Sequence, residues 1–178
     1  MALRKATSTT DGDLLLIVND TDGSLASYSI LRGQNVIAPS LSTTDGTFVN
    51  VGVDVDQIYF VVKRTINSAT KYYVECFNDD NTTDSAKLLS GGSKPSTTTV
   101  TGLSHLEGKT VKVIADDSMQ NDKVVNSGQI TLDAVPTTYV EIGINYTPTV
   151  KTLPVELKLP SGNIMAQKKR IVEATANL

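Results

Sequence analysis

The chain has 178 residues, a formal net charge of −3 at pH 7, one His, one Cys and no Trp. Its single Cys76 excludes an intrachain disulfide, and its acidic balance argues against sequence-specific nucleic-acid binding, which needs a basic surface. No segment approaches the roughly 20 apolar residues that span a bilayer, and the N-terminus lacks the apolar core of a signal peptide, so we expect a soluble protein made in a cytoplasm.

The tripeptide Thr-Asp-Gly occurs three times in the first 46 residues, ending at Gly12, Gly23 and Gly46, and a β-prone segment follows each copy. Asp and Gly both tolerate the left-handed backbone that tight turns between strands require. The pattern predicts strands over residues 13–18, 24–30 and 47–53, joined as an antiparallel meander. Because a catalytic site would not need the same turn three times, the repeat favours a structural role for the chain.

A hairpin is predicted next, from residues 57–65 through a turn at 67–69 into residues 71–77. The run Ile58-Tyr59-Phe60-Val61-Val62 is apolar on both faces, which is typical of a central strand. Residues 90–99 then crowd Gly, Ser and Pro together without apolar periodicity, which predicts a linker over residues 91–101.

Alternation is cleaner after this linker, where apolar residues recur with a period of two and predict half-buried strands. The inward sets are Val111, Val113 and Ala115; Val140, Ile142 and Ile144, opposite Glu141 and Asn145; and Val155, Leu157 and Leu159, opposite Glu156 and Lys158. Short strands at intervals of about ten residues predict a small barrel or sandwich. The final stretch, residues 164–176, reads as a strand rather than a helix.

The predicted fold is therefore all-β: an antiparallel meander or propeller-like sheet plus a small inserted β-barrel. We divide the chain into a sheet part (1–90), a linker (91–101), the barrel (102–160) and a strand that returns to the first sheet (161–178).

Catalytic and metal sites are not predicted. His105 is the only imidazole, and neighbouring Ser104 lies in no Gly-x-Ser-x-Gly elbow, so we interpret His105 as structural. His105 and Cys76 are too few ligands for zinc. The pair Asp116-Asp117 with Asp122 has the residue types of a glycosidase, but no aromatic platform accompanies it in sequence, and an exposed loop is the better interpretation.

Other candidate motifs favour turns and solvated edges as well. The oxygen-rich segments 19–23 and 78–84 do not match a calcium loop, residues 91–94 lack Walker spacing, and the basic run 168–170 is short. Tyr59, Tyr72 and Tyr73 on the predicted hairpin could stack on a sugar, although half-buried strand tyrosines need no ligand. We predict no cofactor and no enzyme activity.

Four ordered runs carry a family resemblance. They are TDGTFVNVGV (44–53), VVKRTIN (61–67) leading to YVE (73–75), HLEGKTVKVIAD (105–116), and TLPVE (152–156) with KKRI (168–171). In order and spacing they resemble the tail tubular protein B, or nozzle, family of short-tailed bacteriophages, over nearly the whole chain. Family members usually have Gly where Asp117 stands, and often an aromatic near Pro39.

The HLEGK run also resembles the β-barrel module that forms the first catalytic cysteine half-domain of ubiquitin-activating enzymes. This second likeness implies a shared barrel. It implies no ubiquitin chemistry, because the chain has neither an adenylation domain nor a suitably placed catalytic Cys.

The nozzle resemblance implies that this chain is an internal fragment of a longer protein that forms a sixfold ring at the distal end of the tail and conducts the genome outward. Implied partners are copies of itself, the upper tail tube ring and tail fibres, and the implied location is the virion tail, assembled in the host cytoplasm. The alternative is a β-rich adhesion or carbohydrate-binding module that uses Tyr72, Tyr73 and acidic loops.

Overall fold

The computed structural model describes residues 1–8, 11–149 and 151, together with the backbone of residues 158–159 and 162–163. The chain divides into two compact units, Met1–Tyr146 and Thr147–Leu178. Strands account for 53% of the residues and no helix reaches seven residues in the described part, so the predicted all-β class with antiparallel sheets is confirmed.

The first sheet is an antiparallel meander. It consists of β1 (Ala2–Arg4), β2 (Asp13–Val18), β3 (Leu25–Leu31) and β4 (Val36–Ser42), in the order β1-β2-β3-β4. The first two Asp-Gly pairs lie in the turns between paired strands, as predicted. Sequence analysis assigned no strand to β4, because all seven of its residues are exposed and Pro39 interrupts it, so it carries no burial period.

The second sheet contains β5 (Thr47–Asp54), β6 (Gln57–Ile66) and β7 (Ala69–Cys76), with β6 central as predicted. Asn67 and Ser68 both have positive φ (49° and 61°), the backbone of a two-residue hairpin turn that matches strand twist. The inner faces of the first two sheets share one core. Its buried members are Leu16, Leu25, Val51, Ile58, Phe60 and Val62.

The third Thr-Asp-Gly copy differs from the other two because it joins strands of different sheets, β4 and β5. Gly46 has φ +146°, and a Cβ there would lie 2.3 Å from the carbonyl oxygen of Lys63. Only glycine therefore fits where the chain crosses closely over β6.

A further sheet and a small ladder form the rest of the first unit. The strands are β8 (Asp84–Ser90), β9 (Thr99–Thr101), β10 (Thr110–Ala115), β11 (Ser118–Met119), β12 (Lys123–Val124), β13 (Gln129–Thr131) and β14 (Tyr139–Ile144). The sheet order is β11-β10-β14-β8 with β12 also on β10, and β13 pairs only with β9. Val111, Val113 and Ala115 are buried, which confirms the predicted alternation on β10.

This second core is the larger of the two. Its eleven buried members are Val100, Leu103, Leu106, Val111, Val113, Ala115, Val125, Ile130, Leu132, Val140 and Ile142. The sheets of the described residues do not close into the expected barrel. The β9–β13 ladder is only three residue pairs long and has no strand pairing with β8 or β14, so the hydrogen-bonded ring stays open.

Strands β1 to β7 form the first region of this unit and strands β8 to β14 form the second, and the crossing between them lies earlier than the predicted linker. Strand β8 precedes residue 91 yet pairs with β14, so the chain leaves the second sheet at residues 77–83. The predicted linker contains a 3₁₀ turn (Gly91–Ser93) and ends in β9. The Gly-, Ser- and Pro-rich segment that predicted a linker is therefore a connection within the second region.

In the second unit, the described backbone forms β15 (Lys158–Leu159) antiparallel to β16 (Gly162–Asn163). The predicted strand at 164–176, the side chains of Val155, Leu157 and Leu159, and the basic run 168–170 lie outside the described residues. No helix in the described part is long and apolar enough to cross a membrane.

Candidate functional site

A buried arginine connects the two regions of the first unit through hydrogen bonds and ion pairs. The Arg64 side chain is 1% exposed, and its Nε and Nη2 each donate to a carboxylate oxygen of Glu75 at 2.7 Å. Its Nη1 donates to the carbonyl of Asp45 at 2.8 Å, and Nη2 lies 3.2 Å from Asp84 Oδ1. One guanidinium thus joins β6, β7, β8 and the β4–β5 connection.

Charge pairing in this cluster sets the ionisation of Asp84. Burial alone would raise its pKa, but the hydrogen bonds and charge of Arg64, with donors from Asp45 and Thr44, lower the pKa below the ordinary range of Asp. The carboxylates of Glu75 and Asp84 both accept hydrogen bonds from neighbouring elements, so this ion cluster holds those elements together.

The outward side of the first sheet is apolar, which the sequence analysis did not foresee. We define the apolar outer face by nine side chains: Leu3, Leu15, Ile17, Ala26, Tyr28, Ile30, Ile37, Pro39 and Leu41. They form cross-strand rows such as Leu3–Leu15–Tyr28–Pro39, and Asp13 is the charged residue paired within them. None of the nine belongs to either core of the described residues.

Exposure on this face is highest at the open edge, where Ile37 is 66% and Leu41 70% exposed. Four strands spaced about 4.8 Å apart give the face an area on the order of 300 Å². The largest apolar patch on a typical soluble protein is about this size and is often functional. Addition of another strand at the β4 edge is hindered because Pro39 has no N–H to donate.

A cleft of about 670 Å³ lies on the outer face of the sheet that contains β10 and β14. Met119, Ile114, Glu141 and Leu88 form one cross-strand row along its floor. Asp80 and Thr82 from the 77–83 connection, Asp117 from the β10–β11 turn, and Thr138 and Tyr139 where β14 begins also line it. The cleft therefore combines an apolar floor with oxygen acceptors.

Glu141 is the buried carboxylate of this cleft. The residue is 3% exposed although it points away from the core, as predicted, because the 77–83 connection folds over it. Its Oε1 accepts hydrogen bonds from the backbone N–H of Thr82 (2.9 Å) and the hydroxyl of Thr83 (2.6 Å). The sequence pattern predicts an outward position for Glu141, and no local signal marks its burial.

The Asp116-Asp117 pair is divided between two roles. Asp116 accepts from the backbone N–H groups of Thr137 (2.6 Å) and Thr138 (2.7 Å), and these bonds hold the pKa of its carboxyl far below the usual range. Asp117 Oδ1 accepts from the Tyr139 hydroxyl at 2.8 Å, which raises the pKa of that phenol.

An aromatic ring therefore does accompany the acids, contrary to our expectation, although it arrives from a distant strand. Asp122, the third member of the predicted group, pairs instead with Lys112 at 2.9 Å. Each of the three acids therefore has a different partner: Asp116 binds the segment before β14, Asp117 binds Tyr139, and Asp122 binds Lys112.

His105 lies in a 3₁₀ turn (Ser104–Leu106), where its Nε2 is 3.3 Å from the carbonyl oxygen of Ser85. Burial lowers the pKa of this imidazole. The contact connects the turn to β8, a packing role of the kind expected from sequence.

The oxygen-rich segments cap their own turns. Asn19 and Asp22 accept from the backbone N–H groups of Thr21 and Ser24, and Asn78 accepts from that of Asp80. Among the described residues, no group of three or more His, Cys, Asp or Glu side chains could hold a metal ion.

The hairpin tyrosines Tyr72 and Tyr73 lie on different faces of the second sheet. Tyr72 pairs with Lys63 and Tyr73 with Val62, so their side chains lie on opposite faces of the second sheet. Tyr59 shares the outer face with Tyr72, and both are exposed. The proposed joint platform of Tyr72 and Tyr73 is therefore not formed.

No protein-family model matches the chain, and no curated protein matches it. The likeness to phage nozzle proteins rests on the motifs in the sequence alone.

Proposed function

We propose that the chain is a non-enzymatic structural component of the tail of a short-tailed bacteriophage, part of a nozzle ring through which the genome leaves. The observation that carries this proposal is the apolar outer face. A four-stranded surface with nine apolar side chains is stabilised when another protein surface removes it from water.

The polar cross-links of the fold support the same function. Arg64 joins three strands and a connection, and Asp116 holds the segment that enters β14. Such bonds make sheet regions rigid without offering an unoccupied reactive group. A rigid scaffold suits a passive channel wall.

We infer that the chain belongs to a longer gene product and that a neighbouring copy in its ring covers the apolar outer face. The complete product should form rings that electron microscopy resolves and should be found in purified phage tails by mass spectrometry. This 178-residue chain alone should be monomeric or weakly associated.

A paired substitution tests the role of the face. Leu15→Lys with Leu41→Lys in the complete product should prevent ring formation and tail incorporation, because buried ammonium groups are strongly unfavourable. The matched control, Tyr59→Lys with Tyr72→Lys on the outer face of the second sheet, should still be incorporated. A complete product that stays monomeric and is absent from particles would contradict the proposal.

A further inference from the structure

We propose that the cleft between the 77–83 connection and the Asp116–Asp117 turn binds a short, uncharged oligosaccharide. This inference goes beyond the structural function. It concerns a surface separate from the apolar outer face, and either proposal can fail alone.

The size of the cleft suits such a ligand. Its volume of about 670 Å³ falls in the range of about 300–1,000 Å³ that is typical of small-molecule sites. It stands on a sheet, whose strands hold the lining side chains in fixed relative positions.

The lining of the cleft has surfaces that complement both the apolar and the polar parts of a sugar ring. Leu88, Ile114 and Met119 supply an apolar floor for the C–H face of a ring. Tyr139 adds an aromatic side chain held in place by its bond to Asp117. Aromatic and apolar surface of this kind packs against the weakly polar face of a sugar.

The polar groups of the cleft are mainly acceptors. Asp80 and Asp117 contribute carboxylates, which accept charge-assisted hydrogen bonds from hydroxyl groups, while Glu141 is buried and engaged by Thr82 and Thr83. No Lys or Arg is among the described residues that line the cleft, and Lys112, on the next row of β10, is engaged by Asp122. An anionic ligand would therefore meet like charge, whereas a neutral polyol would not.

The Asp116–Asp117 turn provides a matched variant. Asp117 has φ +62°, a left-handed conformation in which glycine is favoured. Asp117→Gly removes one carboxylate from the cleft and frees the Tyr139 hydroxyl, while it relieves backbone strain. Loss of binding in this variant would not come from a weakened turn.

The test uses the intact chain and three tetrasaccharides: maltotetraose, tetra-N-acetylchitotetraose and tetragalacturonate. Two-dimensional NMR should show that one of the two neutral probes shifts the resonances of Tyr139 and Ile114. Tetragalacturonate should bind about tenfold more weakly or not at all. Asp117→Gly should reduce the affinity about fivefold or more without lowering the Tm. Tyr72→Ala, on the other sheet, should bind as the unmodified chain does.

Several results would overturn the proposal. They are the absence of shifts with both neutral probes, shifts confined to residues outside the cleft, tighter binding of tetragalacturonate, and unchanged affinity in Asp117→Gly.

Discussion

The outer faces of two sheets in this chain differ sharply, although the inner faces follow the same rule. The first sheet carries nine apolar side chains on its outer face, four exposed and five half-buried, whereas the sheet of β10 and β14 combines apolar side chains with carboxylates and a tyrosine around a cleft. Inner-face alternation is common to both because each must bury one side. The inner faces of both sheets therefore stabilise the fold, and the two regions differ in what their outer faces can bind.

The cores differ in the same sense. Eleven buried side chains form the core of the second region, against six in the core shared by the first two sheets. The second region thus has more buried apolar surface of its own. The first region leaves apolar surface on its outer face, as expected of a part that is completed by a neighbour.

The largest expected effect comes from the cores. Leu106→Ala should lower the free energy of unfolding by about 4 kcal/mol, because the side chain is fully buried in the larger core and its removal leaves a cavity. Leu16→Ala, in the smaller core, should lower it by about 2.5 kcal/mol, because a less enclosed site relaxes more readily. Chemical denaturation measures both. Equal losses would contradict the difference between the two cores.

The bond between the regions comes next. Arg64→Ala should lower the free energy of unfolding by about 3 kcal/mol, since Glu75 and Asp84 would be left partly buried without their cation. Arg32→Ala is the matched control: Arg32 is 78% exposed and pairs with Asp13, so its loss should change stability by less than about 1 kcal/mol. A similar small change in both variants would show that Arg64 does not join the regions.

Asp116→Ala should lower the Tm by less than Arg64→Ala does. It should also make stability depend less on pH in the acid range. The folded-state pKa of Asp116 lies below its unfolded value, so its contribution is present above about pH 4 and is lost as the pH falls through the folded-state pKa. Asp122→Ala, which removes only an exposed pair with Lys112, serves as control. Identical pH dependence in the two variants would refute this role.

His105 should give the smallest effect. Its folded-state pKa is lowered by burial, with Lys87 and Arg64 adding to the shift and the hydrogen bond with Ser85 and the charge of Glu75 opposing it. The unfolded state then binds the proton more readily, so stability from the neutral ring is present above about pH 7 and declines as the pH falls through about 6.5. Thermal melts of His105→Gln should depend less on pH between about 7 and 5.5 than those of the unmodified chain.

Local patterns predicted much of the strand framework. Strand β2 has the predicted bounds, β5 and β6 agree to within one residue, and the buried set on β10 is the predicted one. Alternation and Asp-Gly turns are local signals, and they act over a few residues. Strand β4 was missed because an exposed edge strand carries no burial period.

Features that depend on distant contacts could not be predicted in this way. Glu141 is buried by residues 58 and 59 positions away, and Tyr139 reaches Asp117 across 22 positions. Arg64 occupies an inward position of β6 that only Glu75 and Asp84 make tolerable. The sequence could not show that the sheets do not close into a barrel either. Closure depends on which strands pair, and alternation shows only where strands exist.

The account rests on the claim that another protein surface covers the apolar outer face in the assembled tail. Hydroxyl-radical footprinting of the complete product in its ring, compared with this chain alone, measures that claim at Tyr28 and Leu41. We expect about fivefold less labelling of both residues in the ring, because a protein–protein contact excludes solvent from its centre. Equal labelling of Tyr28 and Leu41 in the ring and in the isolated chain would contradict the account.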